Sequence, residues 1–147
     1  MAPLCRERGI GVLAYGALCG GLLSDRYLGQ PEPRPPALGT ASLRKYKQMI
    51  DAWGGWGLFQ EVLTVLRSIG DRHGASIAAV ALRWVLDRPA VAGVIVGVRL
   101  GVSEHRADGA RALALGLDAE DAGRLATVLE RGHDLFRIIG DCGDEYR

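Results

Sequence analysis

Two short apolar runs, the helical stretch between them and the glycines closing each run predict an α/β fold with parallel strands. Gly9-Ile-Gly-Val-Leu-Ala-Tyr15 and Val91-Ala-Gly-Val-Ile-Val-Gly-Val98 are apolar at consecutive positions, the pattern of strands covered on both faces. Between them lie segments whose apolar residues recur at helical spacing. The strands are therefore joined by a crossover, which makes them parallel and the connection right-handed. Two strands cannot form a sheet that hides both faces, so the pattern implies further strands or a partner surface.

The elements follow in order. Pro3 to Arg8 reads as the last turn of a helix, closed by Gly9. The first strand, Ile10 to Tyr15, runs into the glycine-studded loop Gly16-Ala-Leu-Cys-Gly-Gly21. Backbone amides in such a loop can approach a phosphate or a flat ring closely, because glycine has no Cβ. Residues 29–40 hold four prolines, and Trp53-Gly-Gly-Trp-Gly57 breaks any regular pattern. A long Pro-rich loop over about 29–57 is predicted, holding only a short basic helix from Ser42 to Asp51. A helix from Leu58 to His73 carries Leu58, Val62, Val65, Leu66 and Ile69 on one face, with Gly74 as its stop. Ser76 opens the next, with Ile77, Val80, Ala81, Trp84 and Val85 on one face and Pro89 beyond its end. After the second strand a helix runs from Ser103 through Ala114. Asp118 caps the last one, where Leu117, Leu125, Val128 and Leu129 supply the stripe. Residues 133–147 lack periodicity and read as an irregular tail over the surface.

The 147 residues are about one domain's worth of chain, with 48% hydrophobic and 24% charged residues, as in globular proteins. Eighteen basic against 17 acidic residues leave a net charge of +1, which gives no electrostatic case for nucleic acid or an anionic membrane. Cys5, Cys19 and Cys142 are odd in number and lack metal or CxxC spacing, so they read as reduced thiols. No basic region and apolar run follow Met1, and no apolar stretch is long enough to span a bilayer. A cytoplasmic protein is expected.

The second strand ends in Gly97-Val-Arg-Leu-Gly-Val-Ser-Glu-His105. A guanidinium at a strand's C-terminal end, just before a helix N-terminus, suits a phosphomonoester: the fork supplies charge and paired hydrogen bonds, and free helix amides the rest. A surface arginine after a buried strand satisfies the same spacing. Trp53 and Trp56 fit either the wall of a substrate pocket or packing of the loop. His73 reads as a solvated helix-end residue. His133-Asp134 has no serine or cysteine to complete a triad.

Taken together, these stretches resemble the aldo-keto reductases. Tyr15-Gly-Ala-Leu-Cys-Gly-Gly-Leu-Leu-Ser-Asp-Arg-Tyr27 is similar to that family's Tyr-x-x-Leu-x-x-Gly-x-Leu-(Ser/Thr)-Gly-Lys-Tyr. Ala81-Leu-Arg-Trp-Val-Leu86 with Pro89 resembles its Ala-Leu-x-Trp-x-Leu-x-x-Pro helix, and Val94-Ile-Val-Gly-Val-Arg99 its final strand. The resemblance implies the C-terminal part, the last two strands and their helices, of a (β/α)8 TIM barrel. It also implies NADP(H)-dependent hydride transfer to or from a small carbonyl or alcohol. By position, Tyr15 would stack on the nicotinamide, and the backbone around Gly16, Leu18 and Gly21 would line the pyrophosphate. Gly97 and Arg99 fall in the final-strand motif, with Arg99 at the 2′-phosphate and His105 at the adenosine end.

The sequence departs from the family pattern at several points. Asp25-Arg26 replaces Gly-Lys and sets a carboxylate near the pyrophosphate loop, the Arg99 to His105 spacing is about two residues longer, and Gly109 stands where asparagine is expected. No residue corresponds to the family's tyrosine acid or its lysine, aspartate and histidine helpers, so no catalytic residue is assigned. The first reading is therefore an NADP-linked reductase chain of which these residues are the cofactor-binding portion. It needs the other barrel half or an oligomeric partner, and by itself should be poorly soluble and show no carbonyl reduction. The alternative is a non-catalytic remnant or interaction protein that keeps the scaffold. An accidental match by a small α/β binding module fits the motif order least well. An upstream extension carrying a strand tyrosine and a strand lysine would separate the first two.

Overall fold

β-Branched residues suit a pleated ladder, and the two apolar runs do form one. β1 (Val12–Tyr15) and β2 (Val91–Ile95) pair in parallel, with Leu13 opposite Gly93, Ala14 opposite Val94 and Tyr15 opposite Ile95. The computed structural model describes residues 2–98 and 106–140, and within them the sheet has these two strands. The rest is largely helical: α1 (Ala2–Glu7), α2 (Ala41–Trp53), α3 (Gly55–His73), α4 (Ile77–Leu86), α5 (Arg106–Ala114), α6 (Ala119–Leu129) and α7 (Leu135–Ile139). Mixed α/β architecture with a parallel ladder is as the sequence predicts. Among the described residues no helix is long and apolar enough to cross a membrane.

The helices start where side chains can take up orphan amides. Thr40 accepts from the Leu43 amide at α2 and Ser76 from the Ala79 amide at α4. At α6, Asp118 and Asp121 form a reciprocal capping box. The core lies between α3, α4 and α6, where Leu63, Ile69, Ile77 and Leu82 are at most 1% exposed. On α3 the buried stripe is rotated from the predicted one. Phe59 and Leu63 are buried beside Val62, Leu66 and Ile69, while Leu58 and Val65 sit at its margin. Along α4 every residue from Ile77 to Leu82 is buried, because it packs on the ladder as well as on α3 and α5.

The structure corrects two expectations. First, residues 29–57 are not one loop. Irregular backbone ends at Thr40, α2 runs to Trp53, and α3 begins at Gly55. The prolines all precede Ala37, and Gly57 falls in the first turn of α3, where amides lack intrahelical partners anyway. Trp56 packs on Phe59 at 5.3 Å between ring centres, and its indole N–H donates to the Gln30 carbonyl. Second, the tail is not irregular throughout: Asp134 caps α7 by accepting from the Phe136 amide, while residues 141–147, Cys142 among them, lie outside the described residues. The strands are covered on one face only, as expected of two strands without further partners: Leu13, Tyr15 and Ile95 are more than half exposed, because the helices cover only the opposite side.

Two buried charges bind distant segments. Lys47, on α2, is 6% exposed and its ammonium donates to Glu32 (2.6 Å) and Asp51 (2.5 Å). Burial opposes its charge, but the two carboxylates outweigh that and raise its pKa. Asp121 is fully buried, with Arg72 at 2.8 Å and His73 Nε2 at 2.7 Å. His73 is thus a partner of a buried carboxylate rather than a solvated helix end.

Candidate functional site

Alternation along β1 decides which residues face the bare side of the ladder. Side chains point to opposite faces in turn, so Val12 and Ala14 lie toward the helices and Leu13 and Tyr15 away from them. Tyr15 is the last residue of β1 and 63% exposed, opposite Ile95 at 57%. The ladder therefore presents an aromatic ring at the C-terminal ends of both strands, directly before the glycine loop.

That loop is held by its own backbone. Gly16 turns the chain with φ +69°, and Cys19, Gly20 and Gly21 follow with positive φ. The Cys19 amide donates to the Gly16 carbonyl, and the Gly21 and Leu23 amides both donate to the Leu18 carbonyl. Leu18 packs against the core and Leu22 is fully buried, anchoring the loop from below. Gly16 and Gly20 lean on Tyr46 of α2, so that a Cβ on Gly16 would collide with its phenol oxygen. Gly21 has nothing within 4 Å of the place a Cβ would take. The loop thus has a packed inner side and an open outer side. Burial pushes the Cys19 thiol up to about 11, which leaves it protonated and inert as a nucleophile at neutral pH.

The loop continues into a second fixed turn. Asp25 does not project toward the glycines: it pairs with Arg67 at 2.6 Å and accepts from the Ile77 amide at 3.1 Å, the start of α4. Arg26 lies over the Tyr27 ring at 5.5 Å, and Tyr27 meets Trp56 edge-on. Gln60 accepts from the Gly29 amide and donates to the Tyr27 carbonyl. Trp53 and Trp56 both take part in packing, since Trp53 closes α2 and its carbonyl accepts from the His133 amide.

Of the residues singled out from sequence, Tyr15, Gly16, Leu18 and Gly21 are brought together on this one turn. Gly97 is exposed beyond the end of β2, the strand paired with β1. Arg99 and His105 lie outside the described residues. His133 is exposed and Asp134 is committed to its cap, so the two form no catalytic pair. The contacts of Tyr46, Asp25 and Gln60 escaped the sequence reading. Each joins residues far apart in the chain, which no local periodicity reports.

A model of the aldo/keto reductase family matches residues 1–130. The chain belongs to this family. The resemblance read from its motifs is borne out. This aldo/keto reductase chain is 46% identical over 87 residues, 57% of its length, to flagellar radial spoke protein 5 of Chlamydomonas reinhardtii. It is 29% identical over 96 residues, 64% of its length, to an aldo-keto reductase of Babesia bovis. Over 134 residues, 91% of the chain, it is 27% identical to the uncharacterized oxidoreductase YrpG of Bacillus subtilis (strain 168). The matched part makes up 16%, 32% and 34% of these three relatives in turn.

Proposed function

We propose that this chain supplies the cofactor-binding portion of an aldo/keto reductase-type oxidoreductase that moves hydride between NADP(H) and a small carbonyl or alcohol. The observation that carries the reading is Tyr15. It stands at the C-terminal end of β1, on the face away from the helices, with its ring exposed beside a glycine turn. In (β/α) barrels the loops at that end of the strands build the site, and those after the last two strands often hold phosphate. On this reading β1 and β2 are neighbouring strands of a (β/α)8 barrel, and Leu13, Tyr15 and Ile95 face its interior.

The residues fit a dinucleotide. The open side of Gly21 leaves room for a pyrophosphate to lie against the turn, with no side chain in the way. Tyr15 offers a flat apolar face to the nicotinamide ring, whose bound form supplies or accepts the hydride. The Gly21 amide is already spent on the Leu18 carbonyl, so the loop's contribution at that point is shape rather than a donor. Asp25, neutralised by Arg67 and the α4 amide, does not repel the phosphates as its place in the sequence suggests. Arg99 is assigned to the 2′-phosphate, Gly97 to the approach of that phosphate, and His105 to the adenosine end. None of these residues falls where the family's tyrosine acid or its lysine, aspartate and histidine helpers lie, so the reading gives them binding and orientation.

Titration of the chain with NADPH and NADH, followed by nicotinamide fluorescence, tests this reading. Arg99→Ala should weaken NADPH by about ten- to a hundred-fold, the loss expected for hydrogen bonds to a charged group, and leave NADH nearly unchanged. Equal losses for both cofactors would remove the 2′-phosphate assignment.

A further inference from the structure

The open and packed sides of the glycine turn are set by one side chain. Gly16 and Gly20 both occupy the left-handed region, at φ +69° and φ +65°, and both press on Tyr46. A Cβ on Gly20 would stand 2.9 Å from the Tyr46 ring and 3.2 Å from the Ser42 backbone. Glycine is thus required at these positions twice over, by conformation and by the ring beneath them. Tyr46 is itself held firmly. Its helix is capped at Thr40, anchored by the buried Ile50, and clasped through the neighbouring Lys47 to Glu32 and Asp51. The Lys45 ammonium lies 5.6 Å from the Tyr46 ring centre.

We infer that Tyr46 is a positioning residue for the dinucleotide: its ring is the rest on which Gly16 and Gly20 sit, and so fixes the height of the turn beside Tyr15. The inference builds on the proposed function and extends it to a residue far from β1 in sequence. Tyr46 fills the side of Gly16 that faces α2, so the dinucleotide approaches from the other side, over Gly21. A smaller side chain at 46 leaves the turn without its support. The turn must then be ordered at the moment of binding, and affinity falls by that cost.

The test measures two ligands on the 147-residue chain: NADPH, and adenosine bisphosphate carrying the 2′-phosphate, which lacks the nicotinamide half. Tyr46→Leu is expected to weaken NADPH by about ten-fold, as loss of pre-organisation implies, and to leave the adenosine bisphosphate within about two-fold. Tyr46→Phe keeps the ring under Gly20 and should retain most of the NADPH affinity. A wild-type chain that binds neither ligand overturns the proposed function and this inference together. A wild-type chain that binds NADPH, with Tyr46→Leu unchanged, overturns the inference alone. Equal weakening of both ligands by Tyr46→Leu marks a general folding defect and overturns it too.

Discussion

The two faces of the β1–β2 ladder differ in kind. On one, Val12, Ala14 and Val94 are turned toward the helices, with Val94 packed against the core formed by α3, α4 and α6. On the other, Leu13, Tyr15 and Ile95 are more than half exposed. Residues that hold the fold and residues proposed to meet the cofactor therefore alternate along the same strand, one pleat apart. Stability and cofactor affinity should be separable by substitution, even between adjacent positions.

The strongest challenge to that separation is a core truncation. Leu63 is fully buried in the helical core, and Leu63→Ala should lower unfolding free energy by about 3 kcal/mol, the cost of a large-to-small change in a packed site. Guanidinium unfolding followed by far-ultraviolet circular dichroism measures it, and a loss below about 1 kcal/mol would place the core elsewhere. A smaller effect is expected where the helices are joined by charge. Asp118 is held below its ordinary value of 3.8, first by the Asp121 amide and also by the Arg72 guanidinium. A carboxyl lowered in the folded state stabilises it above the ordinary value, and that stabilisation is lost as pH falls through the lowered value. Wild-type stability should therefore decline below about pH 4, and Asp118→Asn should show a shallower decline in acid titrations monitored by thermal melting. The smallest stability effect belongs to the bare face. Tyr15→Ala should change unfolding free energy by less than about 0.5 kcal/mol, as exposed substitutions usually do. It should nevertheless abolish the change in NADPH fluorescence on binding. A large loss of stability at Tyr15 would show that its face is covered, and the contrast between the two faces would fail.

What the sequence disclosed follows the same division. Apolar runs and capping residues reported β1, β2, the body of α3, the start of α4 and the Asp118 cap, because each is decided within a few neighbouring residues. The glycine turn and its tyrosine were legible as well, since glycines close to a strand end mark a turn by their chemistry alone. The extent of α2 and α3 was hidden, because glycines at 54, 55 and 57 read as a break when they mark only a junction and a first helical turn. The bare face of the strands was legible too, because two strands cannot hide both faces, but an apolar strand does not say what covers it. The His73–Asp121 pair, 48 residues apart, and the seating of Gly16 on Tyr46 exist only once the helices have packed.

Asp25 stands in the chain beside the glycine turn yet answers to a helix. Its two oxygens are divided between the Arg67 guanidinium and the first amide of α4, across separations of 42 and 52 residues. Replacing it by the glycine of the family pattern would leave the Ile77 amide without that acceptor and take one carboxylate from Arg67, which still has Asp71. Residues 25 and 67 and the backbone amide of 77 thus form one fastening between the turn, α3 and α4. The departure from the family pattern at position 25 has a structural account: the Asp25 carboxylate fastens the start of α4 to the turn.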